Sequence, residues 1–129
     1  MIIDTSALVA ILIEEPEGDA FLKLIESTPK CRISVVSWVE LAMVLAREAR
    51  MTTPARAELF LHQSGIQIEP VNIEQGQIAR QAFLDFGKGR HKAGLNFGDC
   101  FSYALAKSTG APLLFKGNDF RYTDIVAVG

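Results

Sequence analysis

Four carboxylates in this sequence stand where chemistry could be done. Asp4 closes the apolar run "MIID", Glu40 lies in "SWVELAMVLA", Asp99 lies in "NFGDCFSYALA", and Asp119 follows "PLLFK". Each has an ordinary structural use. Asp4, or Thr5 or Ser6 after it, can cap the helix that follows. Ser37-Trp38-Val39-Glu40 fits a capping box, which puts Glu40 in the first turn of its helix, and Asn96-Phe97-Gly98-Asp99 fits a looser one. Asp119 can be a turn aspartate. Their company argues for more. Residues three and four positions away share a helix face. For Glu40 these are Val36, Ser37, Met43 and Val44, and for Asp99 they are Leu95, Asn96, Ser102 and Tyr103. The charged face of the Glu40 helix comes later, at Arg47, Glu48 and Arg50. A charged carboxylate on an apolar side costs free energy unless something pairs with it. Several at the rim of one crevice take up protons or hold a cation. An oxygen-only donor set without His or Cys selects magnesium or manganese over zinc. Such an ion binds phosphate oxygens, acidifies water and stabilises transition-state charge. No catalytic histidine is then required, and His62 and His91 stand beside no candidate nucleophile. His62 reads as a helix-surface residue.

The elements that must position these acids alternate in type. Apolar runs predict strands over 1–4, 31–36, 66–71, 112–116 and 124–128. Helical spacing and punctuation by Pro16, Pro29, Pro54, Gly65 and Gly110 predict helices over 5–15, 17–28, 37–50, 53–64, 72–87 and 97–110. Polar loops cover 88–96 and 117–123. Strands alternating with helices imply βαβ crossovers and a parallel sheet. Short apolar strands without polar alternation imply burial on both faces. Ligands in such folds bind beyond the carboxyl ends of the strands, which is where the four acids fall.

The 129 residues suit one domain over 1–129, with no repeat, linker or low-complexity tract. A net charge of -2 gives no global attraction to nucleic acid, so binding a polyanion would need a local basic patch or bound cations. Cys31 and Cys100 have no zinc spacing and read as reduced core residues. The N-terminal run lacks a basic flank and is interrupted by Asp4, so it is no signal peptide. No apolar stretch reaches the roughly 20 residues of a membrane span. A cytoplasmic protein without a membrane partner is expected.

"MIIDTSALVAIL", "SWVELAMVL", "GKGRHKAGLNFGDCFSYALAKSTGAPLLFKGNDF" and "YTDI" together resemble the PIN-domain ribonucleases, in their VapC toxin branch. The resemblance covers essentially the whole chain and is most specific from Gly87 to Ile125. It implies a three-layer α/β/α sandwich around a parallel sheet of four or five strands. It implies an endoribonuclease toxin that uses magnesium or manganese on single-stranded or looped RNA. The family's acidic site falls on Asp4, Glu40, Asp99 and Asp119, with Thr5, Ser6 and Asn118 as hydroxyl or amide helpers. The fourth acid can be Asp119 or Asp124; Asp119 is preferred because it follows the strand directly. The resemblance also implies a VapB-like antitoxin, whose tail can push a basic side chain into the acidic pocket, and a homodimer. The apolar faces within 8–26 and 39–49 could line either contact. Related toxins carry proline where Lys92 stands, a change that adds charge and could loosen the loop.

Two other readings differ in kind. A non-catalytic scaffold that binds RNA or protein would be missing one or more acids, and this chain keeps all four. An aspartyl phosphotransfer domain lacks the second aspartate after Asp4, and no phosphate-binding glycine loop with lysine is present. RNA contact is assigned to Lys88, Arg90 and Lys92 in the loop before Asp99, and to Arg121 beside Asp119, with Lys116 flanking the other side. Phe120 is the aromatic singled out for RNA contact. Reversing the charges of Lys88 and Arg90 is expected to weaken RNA binding and flatten its salt dependence in a filter-binding titration; unchanged binding would remove this loop from the RNA path.

Overall fold

The computed structural model describes residues 1–48 and 54–128. Its centre is a four-stranded sheet in the order β3-β2-β1-β4, parallel throughout. The strands are short: β1 is Ile2–Ile3, β2 Arg32–Ser34, β3 Gln67–Glu69 and β4 Leu113–Leu114. Among the described residues six helices surround it: α1 Thr5–Leu12, α2 Gly18–Glu26, α3 Val35–Arg47, α4 Pro54–Gln63, α5 Ile73–Phe86 and α6 Phe97–Thr109. Successive strand side chains point to opposite faces. Ile2 and Leu113 accordingly pack with Ala79 and Ala82 of α5 and Leu105 of α6. Ile3, Ile33 and Leu114 pack with Leu8 of α1, Ile25 of α2, Leu41 and Leu45 of α3, and Leu61 of α4. Two apolar cores on one sheet give the expected α/β/α layering.

The expected fifth strand over 124–128 is reduced to a single parallel bridge between Leu113 and Ala127. Leu113 N donates to Val126 O at 2.9 Å, and Val128 N donates to Leu113 O at 3.1 Å. Burial on both faces fails for β3, where Gln67 and Ile68 are exposed; this is an edge strand with one neighbour.

One boundary differs in a way that matters for the site. The strand expected over 31–36 ends at Ser34, and Ser34 rather than Ser37 caps α3, its hydroxyl accepting from Val36 N at 3.2 Å. The capping box at Ser37 does not form, and Glu40 stands in the second turn. Ser37 is fully buried and hydrogen-bonded to Ser102 instead. The box at Asn96 does form: Asp99 N donates to Asn96 Oδ1 at 2.9 Å and Asn96 N donates to Asp99 Oδ2 at 3.0 Å. Gly110, at φ +67°, ends α6 in the left-handed region. The first helix stops at Leu12 rather than Glu15, turned by Glu14 at φ +57°. The expected helix end at Ala49 and Arg50 and start at Thr53 lie outside the described residues. The acidic loop contains a 3₁₀ turn over Asp119–Tyr122.

Helix α6 is the spine. Cys100, Ser102 and every residue from Tyr103 to Ala106 are buried. Both cysteines are free and buried. No described helix is long and apolar enough to cross a membrane. Leu105, 1% exposed beneath the sheet, measures how far this packing holds the fold. Leu105→Ala is expected to lower the unfolding free energy by about 2–5 kcal/mol in urea titration; a loss well below that range would show that the surrounding helices close over the gap.

Candidate metal centre

Chain order and sheet order reverse between β1 and β4, the strand pair at whose carboxyl ends a ligand crevice is expected. Asp4 follows β1 directly. It is 3% exposed, and its carboxylate is held by three donors. Ser6 N and Ser6 Oγ reach Oδ2 at 3.0 and 2.7 Å, and Ser102 Oγ reaches Oδ1 at 2.6 Å. Ser102 Oγ is also 2.9 Å from Ser37 Oγ. Because Ser102 gives its one hydroxyl proton to the carboxylate, Ser37 is the donor of that pair. On the other side, Lys116 N donates to Ser6 Oγ at 3.0 Å. Asp4 is thus oriented from α1, α3, α6 and the segment after β4 together.

Thr5 Oγ1 donates to the Ser37 carbonyl at 3.0 Å and lies against Glu40. Burial pushes the Glu40 carboxyl above its ordinary range; the Thr5 contact opposes this, the charge of Asp4 adds to it, and the charge of Arg47 opposes it. Asp99 is pushed up further, to about 7. Burial is the largest cause, the Asn96 backbone N–H works against it, and the charges of Asp4, Glu40 and Asp119 each raise it. The four acids named from the sequence therefore act on one another at Asp99. A shared depression carries Asp4, Thr5, Ser6, Glu40, Asn96 and Asp99. Asp119 stands outside its lining, exposed at the start of the 3₁₀ turn.

Asp124 is engaged elsewhere. Tyr103 Oη donates to its Oδ1 and Lys107 Nζ to its Oδ2, both at 2.6 Å, which holds its carboxyl below the usual range. Asn118 makes no side-chain cap to the 3₁₀ turn. Lys116, on the rim, is ion-paired with Glu15 and lies 3.7 Å from Glu17.

The basic loop is an ordered structure. Gly87 and Leu95 form a parallel bridge, Arg90 Nε donates to Leu84 O at 3.1 Å, and His91 Nδ1 accepts from Ala93 N at 3.0 Å. The Lys92 ammonium sits 4.9 Å from the Tyr122 ring centre and links the loop to the 3₁₀ turn. Arg121 lies over Phe115 at 5.6 Å. Lys88, Arg90, Lys92 and Arg121 are all exposed, as is His62 on α4. Phe120 is corrected: it is 3% exposed and packs on Phe115, so it belongs to the core and presents no open ring face for a base to stack on. Trp38 Nε1 donates to Glu58 Oε1 at 2.6 Å and links α3 to α4. Sequence reading missed Ser102 as a support of Asp4. Its spacing of three from Asp99 on α6 was the available signal.

The PIN-domain family profile matches residues 1–126. Ribonuclease VapC30 of Mycobacterium tuberculosis is 48% identical over 130 residues, spanning 99% of this chain and 98% of that protein. The chain belongs to the PIN-domain family, among the VapC ribonucleases. Solved structures share this PIN fold. VapC20 of M. tuberculosis, described as a sarcin-ricin loop cleaving toxin, superposes with a TM-score of 0.76 at 21% identity, over 98% of this chain and 97% of that one. A toxin–antitoxin complex from Klebsiella pneumoniae gives 0.75 at 17% identity, over 98% and 95%.

Hard oxygen donors, two of them raised by burial first and by neighbouring charge second, fit a small divalent cation in this PIN domain. Among the described residues, no three His, Cys, Asp or Glu side chains already form a metal-holding group, so the carboxylates would have to draw in around the ion. The raised Asp99 group also sets a pH dependence. Its unfolded value is 3.8 and its folded value about 7, so between these the folded state holds the proton that the unfolded state has lost. Its stabilising contribution is complete below 3.8 and disappears as pH rises through about 7. The metal-free melting temperature is expected to fall across this window, and Asp99→Asn is expected to flatten the fall; parallel profiles for the two proteins would contradict the assignment.

Proposed function

We propose that residues 1–129 act as one metal-dependent endoribonuclease domain, the toxin of a toxin–antitoxin pair. The observation that carries this reading is the depression beyond β1 that gathers Asp4, Glu40 and Asp99, with burial and the charges of Asp4, Glu40 and Asp119 raising the Asp99 carboxyl. Asp4, Glu40, Asp99 and Asp119 would hold magnesium or manganese, and Thr5, Ser6 and Asn118 would support them. A bound ion supplies Lewis acidity toward the phosphate and acidifies water. The chain's own part is orientation. Asp4 arrives pre-aimed by three hydrogen bonds. Asp99 keeps one oxygen in the α6 cap and leaves the other for the site. Lys88, Arg90, Lys92 and Arg121 would follow the RNA backbone past the acids, supplying locally the positive charge that the whole chain lacks.

A VapB-like antitoxin is the proposed protein partner, in keeping with the Klebsiella complex. A depression between α1, α2 and α4, lined by Ile11, Leu12, Leu22, Leu59 and Phe60, suits an amphipathic segment. Exposed Val39, Met43 and Phe97 on α3 and α6, with Phe83 and Leu84 on α5, suit a second copy of the chain. A cytoplasmic setting agrees with two free thiols. Purified protein incubated with total cellular RNA is expected to make discrete cuts with magnesium or manganese, none with EDTA, and none as Asp99→Asn. Absence of cuts with every metal and RNA pool would turn the reading toward a binding scaffold.

A further inference from the structure

Gly98 is the second residue of α6, between Phe97 and Asp99, and it is buried. A Cβ built there would stand 2.4 Å from Glu40 Oε2 and 2.7 Å from both Glu40 Cδ and Oε1. Those are its three nearest atoms, and all belong to one carboxylate. No side-chain carbon tolerates such distances, so the end of the Glu40 side chain would have to move. Backbone conformation does not call for glycine here, because Gly98 is not among the glycines with positive φ. Glycine inside a helix costs about 0.5–1 kcal/mol relative to alanine. Space accounts for it: the Glu40 carboxylate rests directly on the bare first turn of α6, at the helix end that favours an anion.

We infer that Gly98 is a positioning residue for Glu40, its missing side chain being the seat that keeps this carboxylate beside Asp99. Only the consequence for metal binding rests on the reading under Proposed function; the seat itself is a matter of geometry. Without it, Glu40 swings out and the acidic set loses a member while the fold stays intact.

The test compares wild type, Gly98→Ala, Glu40→Ala and the double variant by Mn2+ calorimetry, with metal-free crystal structures of the first two. Gly98→Ala is expected to keep the backbone and the melting temperature, to show the Glu40 carboxylate displaced outward, and to weaken Mn2+ binding by roughly 10-fold, the scale of supporting contacts at metal sites. In the Glu40→Ala background the same change is expected to alter Mn2+ affinity by less than about 2-fold, because coupled residues are not additive. A carboxylate that stays in place, an unchanged Mn2+ affinity, or an equal further loss in the double variant would overturn the inference. If wild type binds no Mn2+, the metal reading fails, and the crystal pair alone decides for or against the seat.

Discussion

A carboxylate almost sealed from solvent holds this molecule's working end together. Asp4 is 3% exposed, yet it accepts three hydrogen bonds from two serines that arrive on different helices. Each of those donors is itself fixed. Ser6 is gripped by the backbone after β4, and Ser102 faces Ser37 on α3. An unpaired buried carboxylate would cost several kcal/mol. Satisfying it instead forces α1, α3, α6 and the β4 exit to meet at one point. β1 lies inside the sheet, between β2 and β4, so its end emerges among these elements.

The remaining acids live under the opposite condition. Asp4 is held by three donors, whereas Glu40 and Asp99 are raised by burial and by the charges around them. The pocket therefore joins one carboxylate fixed by hydrogen bonds to others that gain from any added positive charge. Raised carboxyls cost local stability, and α6, with Cys100 and every residue from Ser102 to Ala106 buried, anchors the turn that carries Asp99.

How much of this was legible depends on whether the deciding partner was near in sequence. The α6 cap could be read because Asn96 and Asp99 complete each other within one turn. The α3 cap could not: Ser34 and Ser37 carry the same hydroxyl, and the choice is made by Ser102, 65 residues away from Ser37. Asp119 and Asp124 look alike in the sequence, and Tyr103 and Lys107 separate them in space. Phe120 sits in a polar loop, but its ring turns inward onto Phe115. The seat at Gly98 left no trace in its own neighbourhood, because the group it makes room for comes from another helix. The family resemblance named the four acids; periodicity and punctuation placed their helices and strands to within a few residues, and the hydrogen bonds that aim them became visible only in three dimensions.

The pairing of β1 with β4 has a consequence for how the site is assembled. Ile2 finds its partner at Leu113, and Ser6 finds its partner at the Lys116 backbone. Contacts so distant along the chain carry a high loop-closure cost and slow folding. The hydrogen-bond lattice that aims Asp4 is thus complete only when β4 has paired with β1.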